Sequence, residues 1–89
     1  MNVSFIVHIS GKVQGVYFRA STQQKAIDYG ISGYARNLDD GDVEVLLCGE
    51  QDNVDKILAW LNEGPAKAKV DKVAVKQVEW QQHNFFSIG

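Results

Sequence analysis

Little in this sequence invites covalent or metal chemistry. Cysteine occurs once, at Cys48, so no disulfide can form within the chain, and a lone thiol suits a reducing compartment. At the end of an apolar strand it reads as a small buried hydrophobe. Positive charge has no surplus: nine Lys and Arg stand against eleven Asp and Glu, a formal net charge of −2. Bulk attraction for nucleic acid or an anionic membrane is thereby excluded, and any anion has to be captured by a local arrangement. Polar or charged residues interrupt every apolar run well short of the ~20 residues that cross a bilayer. The start, Met1 to Phe5, has no basic run ahead of an apolar stretch and does not read as a signal peptide. A cytoplasmic protein is expected. The sequence has no Gly-x-x-x-x-Gly-Lys-Ser/Thr loop, no cysteine pair and no His-Glu-x-x-His. His8, on an alternating strand, and His83, in a polar turn, both read as structural, because a working histidine needs a positioned partner.

What is present is the composition of a folded domain. The 89 residues are 45% hydrophobic and 22% charged, enough for a single domain over residues 1–89 with one two-layer core, and the size favours a monomer. Val3, Phe5, Val7 and Ile9 alternate with Ser4, Ile6, His8 and Ser10, the pattern of a strand. Gly11 and Gly15 mark a loop. Phe18, Thr22, Ala26 and Tyr29 then recur at helical spacing up to Gly30. The helix start is open: Ser21 with Gln24 fits a capping box, while Phe18 fits an earlier beginning. Ile31 to Asn37 reads as a second strand. Asp39-Asp40-Gly41 reads as a hairpin turn, since Asp-Gly tolerates the positive φ a tight turn needs. Val43, Val45 and Leu47 face one way along a third strand that Gly49 closes.

Asp52 is the expected N-cap of a second helix whose apolar stripe is Val54, Ile57, Leu58 and Leu61, stopped by Gly64 and Pro65. Val70 to Trp80 reads as a fourth strand, and Phe85 to Ile88 as a short edge strand. The order is β-α-β-β-α-β, the ferredoxin-like α+β two-layer sandwich, with both helices on one face of an antiparallel sheet. Such a fold hosts many functions and decides none of them.

Two segments carry candidate chemistry. Gly11-Lys12-Val13-Gln14-Gly15-Val16-Tyr17-Phe18-Arg19 leaves a strand, turns at glycine and enters a helix. The first amides of a helix lack internal acceptors and favour an anion. Gly15 lets backbone approach a ligand, and Arg19 can add a bidentate contact to two phosphoryl oxygens. The same residues also fit an empty turn with a surface arginine. The second segment is Gly33-Tyr34-Ala35-Arg36-Asn37, running into the Asp39-Asp40-Gly41 turn. The acidic trio Asp39, Asp40 and Asp42 reads as a solvated turn, since no further oxygen ligands flank it at a recognisable spacing.

A nucleic-acid-binding module of the same fold needs exposed aromatics and basic residues on its central strands. Neither Glu44, Leu46 and Cys48 nor Val43, Val45 and Leu47 supplies them, and Lys67, Lys69, Lys72 and Lys76 read as a solvated strand face.

Residues 9 to 19, Ile9-Ser10-Gly11-Lys12-Val13-Gln14-Gly15-Val16-Tyr17-Phe18-Arg19, resemble the first signature of the acylphosphatase family. Gly33 to Asn37 with Gly41, Val43 and Gly49 is similar to its second, spacing included. The resemblance implies hydrolysis of acyl phosphates without metal or organic cofactor. It implies that Arg19 binds the phosphoryl group and that Asn37 orients the attacking water. It further implies that Gln14, Gly15, Val16, Tyr17 and Phe18 form the phosphate cradle. The tail Phe85-Phe86-Ser87-Ile88-Gly89 departs from the pattern, lacking the basic or aromatic residue that ends many relatives.

Overall fold

The structure, a computed structural model, describes residues Met1–Gly89. Its elements are β1 (Asn2–Lys12), α1 (Phe18–Asp28), β2 (Ser32–Asn37), β3 (Val43–Glu50), α2 (Gln51–Leu61), β4 (Lys69–Val78) and β5 (Phe86–Ile88). The strands form one sheet in the order β4-β1-β3-β2-β5. The four long strands pair antiparallel, as the element order requires. The short β5 joins β2 in parallel, Gly33 opposite Phe86 and Ala35 opposite Ile88, which makes the sheet mixed.

Register follows from burying one face. Val3, Val7 and Ile9 of β1 meet the helices together with Val43, Val45 and Leu47 of β3 and Ala35 of β2. A slip of one residue would turn all of them to solvent. From the other side come Phe18 and Ala26 of α1 and Val54, Ile57 and Leu61 of α2. Both helices therefore cover one face, with Phe18 tilted against Trp60 at a ring separation of 5.9 Å. The opposite face holds the smaller buried set Ser4, Leu46 and Cys48.

The helix ends show where local and tertiary signals compete. α1 begins at Phe18, so Ser21 lies inside it and the capping box does not form. Phe18 is fully buried and Thr22 Oγ1 donates to its carbonyl at 2.8 Å, so core packing sets the start. The end is a Schellman motif: Ile31 N donates to Ala26 O at 2.8 Å and Gly30 N to Ile27 O at 3.2 Å. In α2 the N-cap is Glu50, in extended conformation and without a side-chain cap, and the expected Asp52 sits in the first turn. β3 runs unbroken through Gly49 into Glu50, and Gln51 N donates to Met1 O at 3.0 Å, so the chain turns a residue or two earlier than a cap at Asp52 would require. Asp52 still opposes the helix dipole. β4 likewise stops at Val78, which leaves Trp80 outside the strand and 45% exposed.

Candidate active site

The loop between β1 and α1 is anchored by every inward side chain. Val13, Val16 and Phe18 are buried, while Tyr17 between them is 77% exposed. Gly15 has φ 73 and Tyr17 φ 62. Glycine takes such a conformation at little cost, but in a bulky residue it stores ~1–3 kcal/mol of strain. Tyr17 is also the N-cap of α1 and gives it no side-chain cap. The amides of Gln14, Gly15, Val16 and Tyr17 lie outside every helix and strand, and none donates to an acceptor of the chain. Those of Phe18, Arg19 and Ala20 open the helix, where no preceding helical carbonyl exists. A run of unpaired N–H groups through a turn with left-handed residues is an anion-binding concavity.

Arg19, in the first turn of α1, leans towards the C-terminal segment: its Nη1 donates to Gly89 O at 2.7 Å. That segment is held in turn by Gly89 N donating to Ala35 O (3.2 Å), by Gln23 Nε2 donating to Phe86 O (2.8 Å) and by the buried Phe86 ring. The tail thus braces the guanidinium through a backbone oxygen of Gly89, without a basic or aromatic residue at that position. The other arginine, Arg36, is engaged elsewhere: its Nη2 lies 3.0 Å from Glu44 Oε2, which also accepts from Tyr34 Oη at 2.6 Å. Burial, then the Glu44 hydrogen bond and charge, push the Tyr34 hydroxyl above its ordinary value.

Asn37 ends β2 opposite Val43, exposed, at the foot of the hairpin. The Asp39-Asp40-Gly41 turn is closed by Leu38 N donating to Asp42 O (2.8 Å) and Gly41 N to Leu38 O (3.2 Å), with Gly41 at φ 96. Val13, Gly15, Tyr17, Phe18, Arg19, Ala20, Asn37 and Ile88 together line a concavity of about 330 Å³. Five of the residues singled out from sequence, Gly15, Tyr17, Phe18, Arg19 and Asn37, therefore share one cavity. Gln14 and Val16 do not line it: Val16 is anchored in the core, and Gln14 Nε2 donates to Leu38 O (2.8 Å) and Asp42 O (2.9 Å). Ile88 had no signal in the sequence, because it arrives only through the parallel pairing of β5.

The acidic turn is less solvated than its composition implies. Asp42 Oδ2 meets His8 Nε2 at 2.5 Å and accepts from Ser10 Oγ at 3.1 Å, and Asp40 Oδ1 accepts from Asp42 N. His8 and Ser10 leave the open face of β1, and Asp42, the residue just before β3, stands in front of them. The His8 contact holds the Asp42 carboxyl below its ordinary value; burial opposes it, and the Ser10 hydroxyl adds a lesser lowering. Cys48 is buried, accepts from Ser4 Oγ at 3.2 Å, and has its thiol pushed up by burial. It lies in a second, larger groove far from Arg19, with Trp80, His83 and Phe85.

These features define a ferredoxin-like α+β domain whose strand-to-helix turn presents a run of amides without acceptors beside an arginine. The acylphosphatase family model matches residues 5–88. An acylphosphatase of Colwellia psychrerythraea is 66% identical over 89 residues, all of this chain and all of that protein. Among solved structures, an acylphosphatase from Coxiella burnetii superposes with a TM-score of 0.95 at 38% identity, covering 99% of this chain and 93% of that one. The acylphosphatase from Bacillus subtilis gives 0.93 at 30% identity, with 98% of each chain covered. The chain belongs to the acylphosphatase family, and its activity is hydrolysis of the carboxyl-phosphate bond of acyl phosphates.

Proposed function

We propose that Arg19 and the backbone amides of Gln14 to Phe18 bind the phosphoryl group, and that Asn37 orients water for in-line attack on phosphorus without metal or cofactor. The observation that carries this reading is a run of amides without an acceptor in the chain, in a loop whose Gly15 and Tyr17 line one concavity with Arg19 and Asn37. An acyl phosphate needs no more. Its leaving group is a carboxylate whose acid has a pKa of ~4, so it departs unprotonated and no general acid is required. The phosphoryl transition state is loose, and catalysis consists of positioning and charge stabilisation. Asn37 carries no charge and is a poor base; its amide places the water, and the water's proton passes to a phosphoryl oxygen of the substrate. An alkyl phosphate, with its poor leaving group, should react very slowly.

The reading extends to a monomeric, single-domain protein over residues 1–89 that works in the cytoplasm without a nucleic-acid partner. No helix is long and apolar enough to cross a membrane.

Steady-state hydrolysis of benzoyl phosphate, with inorganic phosphate as inhibitor, tests the division of labour. Asn37→Ala should lower kcat by about 10² to 10³, the usual loss for one preorganised hydrogen-bonding group, with phosphate inhibition nearly unchanged. Asn37→Gly should be equally slow, whereas an active glycine variant would reduce Asn37 to a turn residue. Exhaustive chelation should leave turnover intact; a large loss restored by magnesium or zinc would overturn the mechanism.

A further inference from the structure

We propose that the Gln14 carboxamide is a positioning residue for the reaction: it clamps the phosphate cradle to the β2–β3 hairpin and thereby fixes where Asn37 stands relative to the bound phosphoryl group. The proposal rests on the water-orienting reading of Asn37.

The two halves of the site come from different parts of the chain. Arg19 and the cradle belong to the β1–α1 connection, and Asn37 belongs to the end of β2. In-line attack requires the water to be placed against phosphorus to within a fraction of an ångström, so the two halves need a rigid relation. The sheet alone supplies little of it. β1 and β2 are not neighbours but flank β3, and Asn37 is exposed at the last paired position of its strand. His8 and Ser10 of β1 reach Asp42, and Gln14 is the link that comes from the β1–α1 loop itself. One nitrogen, Nε2, serves two carbonyls, Leu38 O at 2.8 Å and Asp42 O at 2.9 Å. Leu38 follows Asn37 in the chain, and Leu38 and Asp42 are themselves joined across the base of the turn. The clamp therefore grips the hairpin at its narrowest point, immediately beside Asn37. Both acceptors are carbonyls, so the contact requires two N–H donors on one atom, which an amide has and a carboxylate lacks. Phosphate is held by the amides and Arg19, which the side chain of Gln14 does not touch. Loss of the clamp should therefore be felt in the rate and not in anion affinity.

The test is a kinetic double-mutant cycle with benzoyl phosphate as substrate and inorganic phosphate as inhibitor. Gln14→Ala, and Gln14→Met as a variant that keeps the length of the side chain, should each lower kcat by about 10- to 10²-fold, the scale of a small misplacement at the reacting atoms. Phosphate inhibition should stay within about twofold of the wild type. In an Asn37→Ala background, Gln14→Ala should cost less than about twofold more, because the group it positions is gone. A stability effect alone would not produce that non-additivity in folded protein. Unchanged kcat in the Gln14 variants, a full multiplicative loss in the double variant, or a fall in phosphate affinity matching the fall in kcat would each overturn the proposal. So would failure of both Gln14 variants to fold by circular dichroism, which would make the carboxamide a determinant of the fold. Wild-type turnover by Asn37→Ala alone would remove the reading of Asn37 and this proposal with it. A slow Asn37→Ala beside fully active Gln14 variants would remove this proposal only.

Discussion

Two concavities open at opposite ends of the sheet. One, of about 330 Å³, sits where β2 ends and α1 begins. The other, of about 860 Å³, sits where β2 begins and α1 ends, and holds both a thiol and an imidazole, Cys48 and His83. Volume and reactive side chains both favour the larger, yet the site proposed above is the smaller. Every inward side chain of its loop is anchored, its amides have no acceptor within the chain, and its arginine is braced by backbone. In the larger groove the two reactive groups are already engaged: Cys48 by Ser4 and its own burial, His83 by Gln81 at 3.2 Å. A phosphate site is marked by donors with nothing to donate to, more than by space or nucleophiles.

The comparison breaks most visibly at Arg19. A lysine keeps the charge and loses the planar fork. Arg19→Lys should lower kcat/KM for benzoyl phosphate by at least about 10² and weaken phosphate inhibition with it. Inhibition at wild-type phosphate concentrations would place the anion elsewhere, the larger groove included.

Cys48→Ser sharpens the comparison from the other end. It should keep wild-type kcat and KM and cost ~1 kcal/mol of stability, for a more polar group in a buried site. Because burial raises the thiol, Cys48 should also alkylate slowly in the native protein at mildly alkaline pH and rapidly once unfolded. Loss of turnover in a folded Cys48→Ser variant would shift the chemistry to the larger groove.

The smallest effect concerns the His8–Asp42 pair, behind the hairpin. Asp42 has a depressed pKa in the folded state. Its contribution to stability is therefore present above the ordinary carboxylate value of ~4 and is lost as pH falls below it. His8→Ala removes the main cause of that depression. Stability should then fall less steeply with acid below about pH 4 than in the wild type, as read from urea midpoints across pH. An unchanged slope would mean that His8 does not hold the carboxylate.

Much of this was legible in the sequence because the signals were local. Alternation in Val3 to Ile9, the stripe from Val54 to Leu61 and the Asp39-Asp40-Gly41 turn each encode their own structure, and the two glycine-marked blocks singled out Arg19 and Asn37, which the fold brings to one cavity. The misses were contacts between distant segments. Ser21 and Asp52 are sound caps by local preference, but the buried Phe18 and the unbroken run of β3 into Glu50 set the helix starts. No periodicity tells that β5 pairs in parallel with β2, so the brace on Arg19 and the Ile88 wall of the cavity were invisible. Gln14 was singled out with its loop; its grip on Leu38 and Asp42 was not legible, since that depends on the hairpin folding back beside the loop.

The placement of β1 in the interior of the sheet, between β4 and β3, has a kinetic meaning. The strand nearest the N-terminus has two neighbours, β3 and β4, both remote in sequence: Asn2 lies opposite Glu50 and Ser4 opposite Val78. Closing such loops costs entropy before any of the pairing repays it, and domains dominated by distant pairings fold slowly for their size. The hairpin that carries Asn37 is local and can form early by comparison. The cradle that must face it is complete only after β1 has been enclosed from both sides, so gain of activity on refolding should follow the slowest step of chain assembly.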